Sequence, residues 1–138
     1  GVICLYTNYQ KEAFVIKIGE IDNDIKIINY IKKNEICDLS YVNSKPISDI
    51  LIMEFMDGSL SDFIYKYQIN LFLEQIIDII IPIIYDFDCL IENNLIYTDI
   101  KLANILFRCN NDNTFNIVLA DIGSIINMNL DINEQKAV

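Results

Sequence analysis

Tyr97-Thr98-Asp99-Ile100-Lys101-Leu102-Ala103-Asn104 brings an acid, a cation and an amide within a span of six residues. This polar knot lies between two runs rich in apolar residues, Cys89–Ile96 and Ile105–Phe107. Seventeen positions after Asn104, a strand-like run (Asn116–Ala120) delivers a second acid in Asp121-Ile122-Gly123. Such a layout can set a base, a cation and two hard oxygen ligands around one phosphate. Phosphoryl transfer depends on that kind of positioning and charge neutralisation more than on covalent chemistry. Asp99 is then the group that orients or accepts the proton of an attacking hydroxyl, and Lys101 offsets charge on the transferred group. Asn104 and Asp121 supply oxygens of the type Mg2+ prefers. Each residue alone would pass for an ordinary polar turn residue; the argument rests on their combination.

The pattern Asp-x-Lys-x-x-Asn-Ile-Leu, followed by a strand and Asp-x-Gly, resembles the catalytic and metal-binding loops of the protein kinase superfamily. The resemblance extends backwards. Phe14-Val15-Ile16-Lys17 is similar to the family's third strand, whose lysine pairs with the α- and β-phosphates of ATP. Gly1-Val2-Ile3 resembles the end of the glycine-rich loop, with Ile3 as the aliphatic residue packed on adenine and Val15 as the strand residue over the ring. Met53-Glu54-Phe55-Met56 resembles the hinge. Met53 corresponds there to the gatekeeper, the backbone of Glu54 and Met56 to the contacts on the adenine edge, and Leu106 to the apolar floor. The acid that should pair with Lys17 is either Asp24, which fits the helical register on a shorter arm, or Glu20. The family's His-Arg before the catalytic Asp is Tyr97-Thr98 here. Thr98 lacks the bidentate fork that an arginine offers to a phosphate on the activation loop.

The resemblance implies an α+β, protein-kinase-like fold. A small β-rich lobe would occupy residues 1–56. The hinge linker, a long helix and the catalytic and metal-binding loops would follow in 57–138, as the first part of a helical lobe. It implies ATP and Mg2+ as cofactors and Ser/Thr hydroxyls of proteins as acceptors, since Lys101 two residues after Asp99 is the Ser/Thr-type arrangement. The alternatives are a pseudokinase or nucleotide-binding scaffold, and a small-molecule kinase of the same fold.

Composition limits the remaining classes. The chain has 138 residues and a net charge of −10, and its only arginine is Arg108. A nucleic-acid groove needs clustered cations, so that partner is not expected. With no histidine and four scattered cysteines (Cys4, Cys37, Cys89, Cys109), a zinc site is not expected, and four buried or half-buried thiols in a reducing cytoplasm is the simple reading. The most apolar run, Ile76–Tyr85, is interrupted by Asp78 and Pro82 and is too short to span a bilayer, so no membrane partner is expected. Isoleucine fills 30 positions and asparagine 16, a third of the chain together. That bias suggests AT-rich coding, as in a large DNA virus or an AT-rich parasite. A chain opening on Gly1 and short of a whole kinase-like domain reads as a truncated piece.

Local patterns predict the elements. Val2–Tyr9 and Ala13–Ile18 read as a hairpin. Ile27, Ile28 and Ile31 follow Asp24 at helical spacing. A weak strand is expected near Leu39–Val42 and a buried strand over Asp49–Phe55. Ser59 or Ser61 should cap a short helix over Asp62–Tyr67. Leu71–Asn93 should be a long helix, kinked or broken at Pro82 and buried nearly all round. Ile105–Arg108 and Phe115–Leu119 read as a second hairpin, and the tail after Ser124 carries no clear pattern.

Overall fold

β-branched and aromatic residues in Val2–Thr7 (β1) and Ala13–Ile18 (β2) build the expected hairpin, in the register Val2↔Ile18 through Thr7↔Ala13. The computed structural model describes residues 1–37, 44–68, 70–112 and 114–129. The β1–β2 loop is organised by Asn8, whose side-chain oxygen accepts from the backbone N–H groups of Gln10 and Glu12 at 3.0 and 2.9 Å. Ser44–Ile47 (β3) and Ile50–Glu54 (β4) complete an antiparallel sheet in the order β1-β2-β4-β3. Pro46 lies in β3, an edge strand, where its missing N–H costs no ladder bond. The strand anticipated near Leu39–Val42 lies outside the described residues. Of the β4 strand read as buried, Leu51 alone is fully buried.

Gly19, at φ 74°, turns the chain from β2 into helix α1, Asp22–Asn34. Ile27, Ile28 and Ile31 bury as their spacing requires, and Asp24 is buried with them. Beyond β4, a two-residue strand Gly58–Ser59 (β5) pairs with Ile105–Cys109 (β7), which pairs with Phe115–Leu119 (β8). Ser59 accepts from the Asp62 N–H on Oγ while its own N–H donates to the Asp62 carboxylate, both at 3.1 Å. This reciprocal cap starts a single wide helical turn, Asp62–Lys66, closed by Tyr67 N–H to the Asp62 carbonyl at 2.9 Å. Ser59 is therefore the cap; Ser61 makes no side-chain cap bond.

Helix α2 runs Leu73–Glu92 in one piece, with Pro82 inside it. Of the expected kink or break at Pro82, the break does not occur. Nor is the helix buried all round. Ile79, Ile83, Asp86 and Leu90 form one buried stripe, while Ile76, Ile77, Ile80, Ile81, Ile84 and Tyr85 stay exposed. Isoleucine is so abundant here that it does not distinguish the two faces. Leu95–Tyr97 (β6) pairs with Ile125–Asn127 (β9), two strands that local pattern does not reveal.

One buried cluster joins Ile27, Ile28 and Ile31 of α1 to Leu51, Leu90, Leu95, Tyr97 and Ile125. A second gathers Leu60, Ile79, Ile83 and Leu119, and Phe87 packs against both. A disulfide joins Cys37, just beyond α1, to Cys89 of α2, with Cα atoms 5.7 Å apart. The expectation of four buried or half-buried thiols is thus corrected twice: Cys4 and Cys109 are free but exposed, and Cys37 and Cys89 are bonded. Proximity after folding, invisible in a separation of 52 residues, brings that pair together.

Candidate active site between the two sheets

The four-stranded sheet and the β5-β7-β8 sheet enclose a cleft of about 560 Å³. Its lining includes Ile3 of β1, Val15 and Lys17 of β2, Met53 and Glu54 of β4, and Met56 beyond it. Asp24 of α1 also reaches it, as do Asp99, Lys101, Asn104, Leu106 and Asp121 on the other side. Every residue given a catalytic, nucleotide or metal role from the sequence meets there except Gly1 and the alternative acid Glu20, which are not among the lining residues. Of the two candidate acids, Asp24 is the one that pairs with Lys17, through both of its carboxylate oxygens.

The Lys17 ammonium donates to both Asp24 carboxylate oxygens, at 3.0 and 3.1 Å, and lies 3.9 Å from Asp121 Oδ1. The Asp24 side chain is only 4 % exposed and that of Asp121 39 %, so Lys17 links a buried acid to one open to solvent. The short Asp24 arm suffices because α1 lies directly on the turn at Ile122–Ser124. A Cβ built on Gly123 would meet Asp24 Oδ1 at 2.6 Å. Glycine at that position is what permits the approach.

Across the cleft, the Asn104 amide donates to the Asp99 carbonyl and to its Oδ2, both at 2.9 Å. Lys101 Nζ stands 3.3 Å from the same Oδ2. Ala120 N–H donates to the Asn104 carbonyl at 2.8 Å, which couples the Asp99–Asn104 loop to the strand leading into Asp121. Asp121 has φ 54°, a left-handed conformation uncommon outside glycine and often found at functional sites. Ser124 Oγ donates to the Asp121 carbonyl and to its Oδ2, at 2.9 and 2.7 Å, holding that conformation. Tyr97 packs its ring 5.9 Å from that of Phe87 and donates its hydroxyl to the Ala120 carbonyl at 2.5 Å. Burial, then the Asp121 and Asp99 carboxylates, push the Tyr97 phenol well above its ordinary pKa, so it stays a neutral donor.

The Glu54–Asp57 segment is anchored on β7. Arg108 pairs with Glu54 and points Nη2 at Met56 Sδ, 3.6 Å away. Asp57 N–H donates to the Phe107 carbonyl at 2.9 Å and its carboxylate accepts from Cys109 N–H at 2.7 Å. Sequence reasoning missed the partners Asn23 and Ser124 and the lining residues Ser59 and Asp62. Ser59 and Asp62 were legible as a helix cap but not as cleft residues, because Ser-x-x-Asp at 59–62 is a capping signature. Nothing local marks Asn23, whose contacts lie a hundred residues away.

Residues 6–138 match the model of the protein kinase domain family. The chain belongs to the protein kinase family. Among its relatives is a protein of Acanthamoeba polyphaga mimivirus provisionally named as serine/threonine-protein kinase L232, 29 % identical over 129 residues. That match covers 85 % of this chain and 20 % of the relative, so the kinase chain spans about a fifth of the mimivirus protein's length. A chain of the yeast CTDK-1 complex, an RNA polymerase II CTD kinase, superposes with a TM-score of 0.67 at 19 % identity. The superposition covers 92 % of this chain and 44 % of the yeast one, and it establishes the kinase fold.

The residues suit the nucleotide and metal that kinases use. The cleft falls within the usual range for small-molecule sites. Asp121 and Asn104 bring a carboxylate and an amide carbonyl, the hard donors of Mg2+, which binds through few protein groups and keeps positions for water and phosphate. Among the described residues no group of three or more His, Cys, Asp or Glu could hold a metal by itself. No helix among them is long and apolar enough to cross a membrane.

Proposed function

We propose that this kinase chain carries an ATP- and Mg2+-dependent site that transfers phosphate to Ser/Thr hydroxyls of protein substrates inside the cell. One observation carries the reading. Lys17 pairs with Asp24 on one side of a cleft and reaches Asp121 on the other, the side that also presents Asp99, Lys101 and Asn104 together. Lys17, oriented by Asp24, pairs with phosphate oxygens of the nucleotide. Ile3, Val15, Met53 and Leu106 supply the apolar surface for the base, and the backbone of Glu54 and Met56 supplies hydrogen bonds to its edge. Asp121 and Asn104 hold Mg2+, which when bound neutralises charge on the phosphates. Asp99 orients the acceptor hydroxyl and receives its proton. Lys101 offsets the charge that grows as the phosphoryl group departs. The Ser/Thr preference is supported by Lys101 two residues after Asp99 and by the name of the mimivirus relative.

The test uses the full-length protein with Mg-ATP and a generic protein acceptor, followed by phosphoamino-acid analysis. Phosphoserine or phosphothreonine is expected. In parallel, Mg-ATP should raise the melting temperature, and Asp121→Asn should remove most of that rise. Nucleotide binding without transfer to any acceptor would leave a nucleotide-binding scaffold. Transfer only to a small molecule would leave a small-molecule kinase.

A further inference from the structure

Three consecutive backbone carbonyls just beyond the Asp121 turn are claimed alternately by two different parts of the molecule. The Gly123 carbonyl accepts from Asn23 Nδ2. The Ser124 carbonyl accepts from the Thr98 N–H and from its hydroxyl, at 3.2 and 2.6 Å. The Ile125 carbonyl accepts again from Asn23 Nδ2, at 3.3 Å. Asn23 stands in the first turn of α1, immediately before the acid that pairs with Lys17. Thr98 stands immediately before Asp99. Residues 123–125 are therefore gripped from the phosphate-lysine side by α1 and from the catalytic-loop side by Thr98.

We infer that Asn23 is a positioning residue: its amide clamps helix α1 to the Gly123 and Ile125 carbonyls, so that the Lys17–Asp24 pair and Asp121 move as one unit. The inference rests on the proposed phosphotransfer reading for its kinetic consequence, but not for the clamp itself. The physical need for the clamp comes from Asp24. The short-armed carboxylate that pairs with Lys17 lies directly against Gly123, where an added Cβ would come within 2.6 Å of it. A small withdrawal of α1 would break the Lys17 contact and let Asp121 drift from Lys17, now 3.9 Å away. Misplacing a positioned group by about 1 Å can cost on the order of a hundredfold in rate. Asn23 opposes that withdrawal with two hydrogen bonds that cross from α1 to the turn.

Asn23→Asp is the informative change. It keeps side-chain size and puts an acid in the first helical turn, where the helix dipole favours it, but replaces the amide donor with a carboxylate facing two carbonyls. Asn23→Ala serves as the second variant should the carboxylate disturb folding. In the full-length protein, amide hydrogen exchange over residues 122–126 should quicken in both variants while the global melting temperature stays within a few degrees of wild type. kcat should fall about tenfold or more, with a smaller change in KM for ATP. Asn23→Asp added to Asp24→Asn should lower kcat little further, because both act on one contact. Unchanged exchange over 122–126 in both variants overturns the clamp. A full-sized additional loss on the Asp24→Asn background overturns the coupling to Lys17. If the wild type transfers no phosphate, the functional reading fails and the exchange measurement still decides the clamp.

Discussion

Gly123 stands so close to Asp24 that a Cβ on it would meet the carboxylate at 2.6 Å, a separation real Cβ contacts do not show. The pairing of Lys17 with Asp24 thus depends on a residue that is not among those lining the cleft. Gly123→Ala should displace the Asp24 carboxylate from Lys17 and lower kcat/KM for Mg-ATP by about tenfold or more, each tenfold step being about 1.4 kcal/mol. Steady-state kinetics on the full-length variant checks this. Wild-type kinetics would show that the contact yields without consequence.

Asp99 and Lys101 are proposed to act on the reaction more than on nucleotide binding. Positioned general bases are worth ~10²–10⁴-fold in rate. Asp99→Asn should lower kcat by that order with the Kd for Mg-ATP nearly unchanged. Lys101→Ala should also act mainly on kcat, since its charge is needed most as the phosphoryl group moves. Equal losses in affinity and turnover would move both residues from catalysis to ground-state binding.

Thr98 occupies the position where the family carries an arginine, and its N–H and hydroxyl are both engaged with the Ser124 carbonyl. A hydrogen-bonded threonine offers no cationic fork to a phosphate. Phosphatase treatment of the full-length protein should therefore change its specific activity little. A large loss of activity on dephosphorylation would point to a phosphate-binding cation elsewhere.

Cys37 and Cys89 enclose 52 residues of sequence separation, so their bond should stabilise the fold chiefly by restricting the unfolded chain. In the chain-entropy description that amounts to roughly 4 kcal/mol. Cys37→Ser, or a thiol reductant on the wild type, should lower the denaturation midpoint, and Cys4→Ser should not. Peptide mapping under non-reducing conditions checks the link directly. Equal midpoints for Cys37→Ser and wild type would show that the bridge contributes nothing to stability.

Elements governed by neighbours in sequence were legible from the sequence. The β1–β2 and β7–β8 hairpins follow from alternating or β-branched runs around short polar loops, and α1 from Ile27, Ile28 and Ile31. The meeting of the Asp99–Asn104 knot and Asp121 at one cleft was legible for the same reason, from their fixed local spacing. Helix α2 was found, but its face was misread, because isoleucines on its exposed side erase the contrast that marks burial. Pro82 did not end it.

Sequence alone thus determined the family, the order of most elements and the residues that converge on the cleft, since each is encoded in short-range pattern and motif spacing. Tertiary structure alone decided which acid pairs with Lys17, which face of α2 is buried, that β6 meets β9, that Cys37 meets Cys89, and that Asn23 grips the turn beyond Asp121. The physical reason is common to them all. Each is a choice among chemically similar candidates, and only distances set when far-apart segments pack together can make it.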